Sequence, residues 1–125
     1  MSAGSALQAA IVSALEAIEQ LQGIYDGPPA RAAYPYAAID ARTEADWGHK
    51  SGVGREVFAS VTLWDDEPAR LEAVGELVEP ALAAIDHVEG WQLVTLVPVK
   101  RRVARDVAGP WAMIMDFRAR LLASQ

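Results

Sequence analysis

Two histidines, His49 and His87, are the natural acid–base or metal candidates in this chain. Neither has a second histidine at helical or strand spacing, and zinc wants three or four ligands. Each reads as a solvated loop residue. Asp65, Asp66 and Glu67 could form a carboxylate cluster for a hard cation. No bidentate partner follows at calcium-loop spacing, and acids just ahead of a helix sit favourably against its dipole. Gly48, Gly52 and Gly54 match neither a P-loop nor a dinucleotide fingerprint, and a strand follows them where a phosphate cradle needs a helix. Ser5, Ser13, Ser51, Ser60 and Ser124 lie in no nucleophile elbow. The chain has no cysteine, which excludes disulfides, thiolate catalysis and Cys-based zinc sites. No catalytic, cofactor or metal residue is assigned, and the expectation is a protein that is not an enzyme.

The remaining chemistry is electrostatic. Net charge is −6, which disfavours general nucleic-acid binding. The charges are segregated. Residues 65–89 carry eight acids, Glu72 and Glu76 among them, against Arg70 alone. Residues 90–125 carry six bases, including Lys100, Arg101, Arg102 and Arg105, against Asp106 and Asp116. Such a pattern pairs within the chain or between copies of it. Read alone, the basic run is a solvated strand end. Its functional reading is a patch facing another subunit or DNA, the latter local and salt-sensitive.

The elements that position these groups follow from periodicity. Leu7, Ile11, Leu15, Ile18 and Leu21 form one helical stripe over residues 6–22, with Ser5 and Gln8 as a capping box and Gly23 as the stop. Tyr34 to Ile39 reads as a short strand with Pro35 at its start or on an edge. Residues 42–55 read as a long loop, a kind that tends to be functional or mobile. Glu56 to Trp64 is a strand with Val57, Ala59, Val61 and Leu63 on its apolar face. Phe58, Ser60, Thr62 and Trp64 make a mixed opposite face that needs partial cover. A second helix begins at Pro68, with Leu71, Val74, Val78, Leu82 and Ile85 as its stripe and a kink or early end expected at Pro80. Trp91–Val103 and Trp111–Leu121 read as strands, with a bulge or edge at Pro98 and a turn at Asp106–Pro110. The expected fold is one α+β domain over residues 1–125, in the order α-β-β-α-β-β. Two helices pack on one face of an antiparallel or mixed sheet of about four strands.

The start has neither the basic nor the apolar stretch of a signal peptide. No stretch reaches the ~20 apolar residues of a membrane helix.

Several segments in this order resemble the tail terminator, or tail completion, proteins of long-tailed phages and gene transfer agents. They are the opening Ala/Leu helix leading into Gly23–Pro29, then Tyr34–Ile39, and the Trp47-Gly48 to Gly54 stretch. Val61–Trp64 entering the second Ala/Leu helix, Arg105-Asp106, and Phe117-Arg118-Ala119 complete the set. The resemblance implies a ring, of six subunits, seated on the end of the tail tube near the head. Such a ring stops tube polymerisation and offers a surface to the head connector. The partners are then further copies of the chain, the tube protein, the connector or an adaptor, and DNA passing the channel, with no membrane. The chain would belong to a virion or gene transfer agent particle assembled in the bacterial host cytoplasm. The alternatives are a head–tail connector adaptor and, in a different class, a small cytoplasmic ligand-binding or enzymatic domain.

A head-to-tail ring needs two unlike patches on each subunit. The acidic helix with Glu72 and Glu76, and the basic strand with Lys100, Arg101, Arg102 and Arg105, are candidates. The 42–55 segment supplies Trp47, Lys50 and Arg55 as contacts to the tube or to a neighbour. Phe58, Trp64 and Trp111 are either anchors between subunits or fillers of the chain's own core.

Overall fold

The computed structural model describes residues 1–105 and 107–124. Its elements are α1 (Ala3–Leu15), β1 (Ile24–Asp26), β2 (Tyr36–Asp46), β3 (Gly54–Asp65), α2 (Pro68–Ala83), β4 (Trp91–Arg105) and β5 (Trp111–Ala123). The strands form one sheet in the order β1-β2-β3-β5-β4. β1 runs parallel to β2, and every other neighbouring pair is antiparallel. β5 returns between β3 and β4, splitting the β3–α2–β4 crossover.

The α+β class and the placement of both helices on one sheet face agree with the sequence reading. The count and order do not, because there are five strands in the order α-β-β-β-α-β-β. The added strand β1 is only three residues long, too short for alternation to show. It exists because Ile24–Asp26 can pair with Ala37–Ile39 across a proline-rich crossing.

One rule builds the core: side chains two apart on a strand share a face. Val57, Ala59, Val61 and Leu63 of β3 lie opposite Ala119, Phe117, Met115 and Met113 of β5, and all eight are buried. α1 covers this face with Leu7, Ile11 and Leu15, and α2 covers it with Leu71, Val74, Val78 and Leu82. Each large apolar side chain fully withdrawn from water contributes about 1.5–3 kcal/mol. These stripes and faces are the ones the periodicity predicts.

Local differences have local causes. α1 is capped by Ser2, whose Oγ accepts the Ser5 amide, and not by Ser5. Gln8 instead takes the Ala41 amide of β2 on its Oε1. The helix ends at Leu15, short of residue 22, and continues as tight turns closed by Ile18 N–H to Leu15 O and Leu21 N–H to Ile18 O. Those turns still bring Ile18 and Leu21 to the core. α2 runs past Pro80 to Ala83, so the early end is not observed. Pro80 lies on the exposed side, where water can satisfy the carbonyl that loses its amide partner.

Half of the long loop expected at 42–55 is strand. β2 reaches Asp46 and β3 starts at Gly54, paired from Thr43↔Phe58 to Asp46↔Arg55, which leaves 47–53 as the hairpin tip. The sequence hid this because residues 42–46 of β2 are all exposed and carry no apolar alternation. A bulge between Asp40 and Thr43 sets the strand's direction. Pro98 falls at a bulge in the outer strand β4, as expected. Of the expected turn at Asp106–Pro110, Asp106 lies outside the described residues and Val107–Gly109 turn the chain.

α1 docks on β2 through Gly4, where an added Cβ would collide with the Ala41 carbonyl oxygen. Gly4→Ala is expected to destabilise the protein by about 1–3 kcal/mol despite alanine's better helix propensity. Urea unfolding followed by circular dichroism measures this.

Candidate assembly surface

The sheet face away from the helices has no covering element. Across it, from β2 to β4, lie Tyr36, Ala38, Asp40 and Thr43, then Trp64, Thr62, Ser60, Phe58 and Glu56. β5 adds Ile114, Asp116, Arg118 and Arg120, and β4 adds Arg102, Lys100, Val97 and Thr95. Cross-strand pairs order this surface. Ser60 Oγ donates to Asp116 at 2.8 Å, and Lys100 Nζ stands 4.0 Å from the same carboxylate. Arg120 Nε donates to Glu56 at 3.0 Å, while Arg118 Nε approaches it at 3.8 Å. Arg118 Nε is withdrawn from water with no hydrogen-bond partner among the described residues. Tyr34, Tyr36 and Trp64 form a continuous stack with centroid spacings of 5.9 and 5.1 Å.

The twelve contact candidates fall in different places. Trp47, Lys50 and Arg55 are on the β2–β3 arm. Trp47 is half-buried beneath the Arg120 guanidinium, 5.6 Å from its ring centroid, and Arg55 reaches Asp46 at 3.7 Å. Phe58 and Trp64 share the open face. Trp64 is committed to the tyrosine stack, whereas Phe58 stays 42% exposed. Trp111 is half-buried, with the Arg105 guanidinium 5.1 Å from its centroid.

Strand alternation divides the basic run. Lys100 and Arg102 are on the open face. Arg101 turns to the helix side and bridges Glu72 at 3.3 Å and Glu76 at 3.2 Å on α2. The acidic helix and basic strand therefore meet within one chain at Arg101. Arg102 and Arg105 have no acidic partner among the described residues.

The acidic triplet before α2 closes on a single cation. Arg70 donates to both Asp65 oxygens at 2.7 and 2.6 Å and lies 3.3 Å from Asp66 and 3.4 Å from Glu67. Asp65 is fully buried and also accepts the Glu67 amide, which ties the end of β3 to the start of α2. Burial pushes the Asp65 carboxyl up. The Arg70 and Glu67 hydrogen bonds together outweigh it and hold the pKa below its ordinary value. The guanidinium of Arg70 is raised, first through its bonds to Asp65. On β1, Asp26 is lowered by Gln8 and by Arg42, whose guanidinium lies 2.6 Å away.

The sequence missed the aromatic stack and the Arg70 clamp. Tyr36 and Trp64 both stood on expected strands, but their contact needs the β2–β3 register. Arg70 stands five residues after Asp65, a spacing that becomes a contact only when β3 turns sharply into a helix.

His49 lies on the hairpin tip with its ring 5.0 Å from Trp47, and His87 follows α2, 3.3 Å from Glu89. No group of three or more potential metal ligands occurs among the described residues. No described helix is long and apolar enough to cross a membrane.

Fold and surface together define a small α+β protein with one sheet face packed under helices and the other left charged, aromatic and open. Residues 5–122 match the family described as tail completion protein gp17, and the chain belongs to that family. Among solved structures, a chain from the virion of a native gene transfer agent particle is similar to it. The TM-score is 0.84 at 26% identity, over 98% of both chains. The gp17 protein of bacteriophage SPP1 has the same fold, with a TM-score of 0.58 at 24% identity over 98% of this chain and 91% of that one. No curated protein sequence matches the chain.

The Asp65 clamp has a defined pH signature. Its carboxyl is more acidic folded than unfolded, so its stabilisation is present above the ordinary value of 3.8 and is lost as pH falls below it. Asp65→Asn is expected to cost about 1–3 kcal/mol at pH 7, the modest end for a buried pair because Arg70 is 41% exposed. The difference from wild type should shrink towards pH 3 in urea titrations.

Proposed function

We propose that this tail completion protein acts as a subunit of a ring that caps the tail tube. The ring ends tube polymerisation and forms the surface that joins the head connector. One observation carries the reading: family membership over residues 5–122, together with the likeness over 98% of both chains to a component of a gene transfer agent virion. The protein is a structural component of a phage-type tail.

The surfaces are compatible with a head-to-tail ring, which needs two unlike patches on one subunit. On the outer strand, Lys100 and Arg102 form a basic flank of the open face, and Arg105 stands on the other face over Trp111. Beyond the end of α2, Asp86 and Glu89 form an acidic one. The β2–β3 hairpin tip, with Trp47 and Lys50 and with Arg55 at its base, is suited to reach the tube. Phe58, exposed amid a charged face, is an anchor for whatever covers that face. Glu72 and Glu76 act within the subunit, holding Arg101 and so the outer strand against α2.

The test uses tail tubes assembled from purified tube protein and imaged by negative-stain electron microscopy. Adding this chain should stop elongation and place ring density at one tube end. Lys100→Glu with Arg102→Glu should raise the concentration needed by about tenfold, with the circular dichroism spectrum unchanged. Tubes that keep growing under wild-type protein, or density found only on the connector when both are offered, would overturn the capping role.

A further inference from the structure

The open sheet face carries a hollow of about 360 Å³ that reaches from β2 across β3 and β5 to the bulge of β4. Phe58 and Val99 line it, and both stay exposed to water, Val99 at 56%. Arg118 borders it, with an Nε that finds no acceptor among the described residues. The two acids of the hollow are already engaged. Asp116 accepts from Ser60 and faces Lys100, and Asp40 is held by Arg42 at 3.4 Å. Elsewhere on this face Arg120 takes up Glu56. Four bases, Lys100, Arg102, Arg118 and Arg120, therefore stand here against Glu56, Asp116 and an Asp40 that Arg42 answers, in a chain of net charge −6.

α2 has the opposite chemistry on the side turned away from the sheet. Ala69, Ala73, Leu77 and Pro80 follow one another at helical intervals and are all exposed. Leu77, at 39%, is the one large apolar side chain that either helix leaves exposed. Glu72, Glu76 and Glu79 run beside this row. Arg101 of β4 engages the first two, and Glu79 has no basic partner among the described residues. Arg70, the one base in α2, is taken up by Asp65, Asp66 and Glu67. Leu77 is thus an apolar knob next to an unanswered carboxylate, and the hollow is an apolar socket next to a guanidinium short of acceptors. α2 packs on one side of the sheet and the hollow opens on the other, so the two never meet within one chain.

We propose that α2 of a second copy of this chain lies across the open sheet face and seats its Leu77 in the hollow, against Phe58 and Val99. Glu79 of that copy faces Arg118. A carboxylate brought to a guanidinium that lacks an acceptor gains a charge-assisted hydrogen bond, and the apolar seat beside it gives affinity while the charges give register. The sheet then has helices over both faces, its own on one and a neighbour's on the other. Helix side and open side differ, so the contact is heterologous and each copy offers one surface while using the other, which is the repeat that a closed ring needs. This inference rests on the ring reading above and names the surfaces that join its subunits.

The cysteine-free sequence permits a direct test in the full chain. Phe58→Cys combined with Leu77→Cys, oxidised in rings or tube-capping particles, should give a ladder of covalent multimers on non-reducing gels. Either single variant should give no species above a dimer. Arg118→Glu alone, or Glu79→Arg alone, should weaken self-association by about tenfold in sedimentation velocity, and the two together in one chain should restore it, with every variant folded by circular dichroism. Rings that form without the ladder and ignore the charge changes would overturn this contact and leave the ring standing. With Phe58→Cys carrying a benzophenone, irradiation of capped tubes should join copy to copy. Capture of tube protein or connector in place of a second copy would overturn the contact by naming another occupant for the face. A chain that neither self-associates nor caps tubes would overturn both readings.

Discussion

The structure depends on unequal cover for the two faces of one sheet. Two helices bury one face of the central strands β2, β3 and β5, and the chain spends its apolar residues there. Val57, Ala59, Val61 and Leu63 with their β5 partners form a continuous apolar layer beneath α1 and α2. The residues between them inherit the other side by geometry alone. Ser60 then hydrogen-bonds Asp116, Arg120 hydrogen-bonds Glu56, and the aromatics collect where Tyr36 and Trp64 come into register. A protein folded this way carries half of its central layer into whatever assembly it joins.

Two close fits keep the helices at their stations. Gly4 lets α1 approach the β2 backbone, and the buried Asp65 carboxylate binds both Arg70 and the Glu67 amide to set how α2 leaves the sheet. A third, from Arg101 to Glu72 and Glu76, fastens the outer strand to α2. These polar ties act at the junctions between elements, while the apolar layer supplies the bulk of the stabilisation. Membership of the tail completion family is consistent with this economy, because a structural subunit needs a stiff frame and a presentable surface more than it needs a cavity.

The strongly periodic parts of the fold were legible in the sequence. The helical stripes from Leu7 and from Leu71, and the alternating faces of β3 and β5, could be read residue by residue. The bulge at Pro98 followed from its missing amide. What stayed hidden lacked a burial signal. β1 has three residues, and residues 42–46 of β2 are all exposed. The candidate contacts were legible as residue types but not as a surface. One basic run became two when strand alternation sent Arg101 to the helices and Lys100 and Arg102 to the open face. The Arg70 clamp and the tyrosine–tryptophan stack depend on a turn and a register that no local pattern encodes.

The outer strand bears on how copies behave before they meet a partner. β4 has its free edge broken by irregularities at Val94 and Val99 and by Pro98, which offers no amide hydrogen. An edge interrupted in this way offers only short regular runs to the like edge of another molecule. Strand-to-strand joining of copies is thereby discouraged, which leaves side chains to decide where they meet.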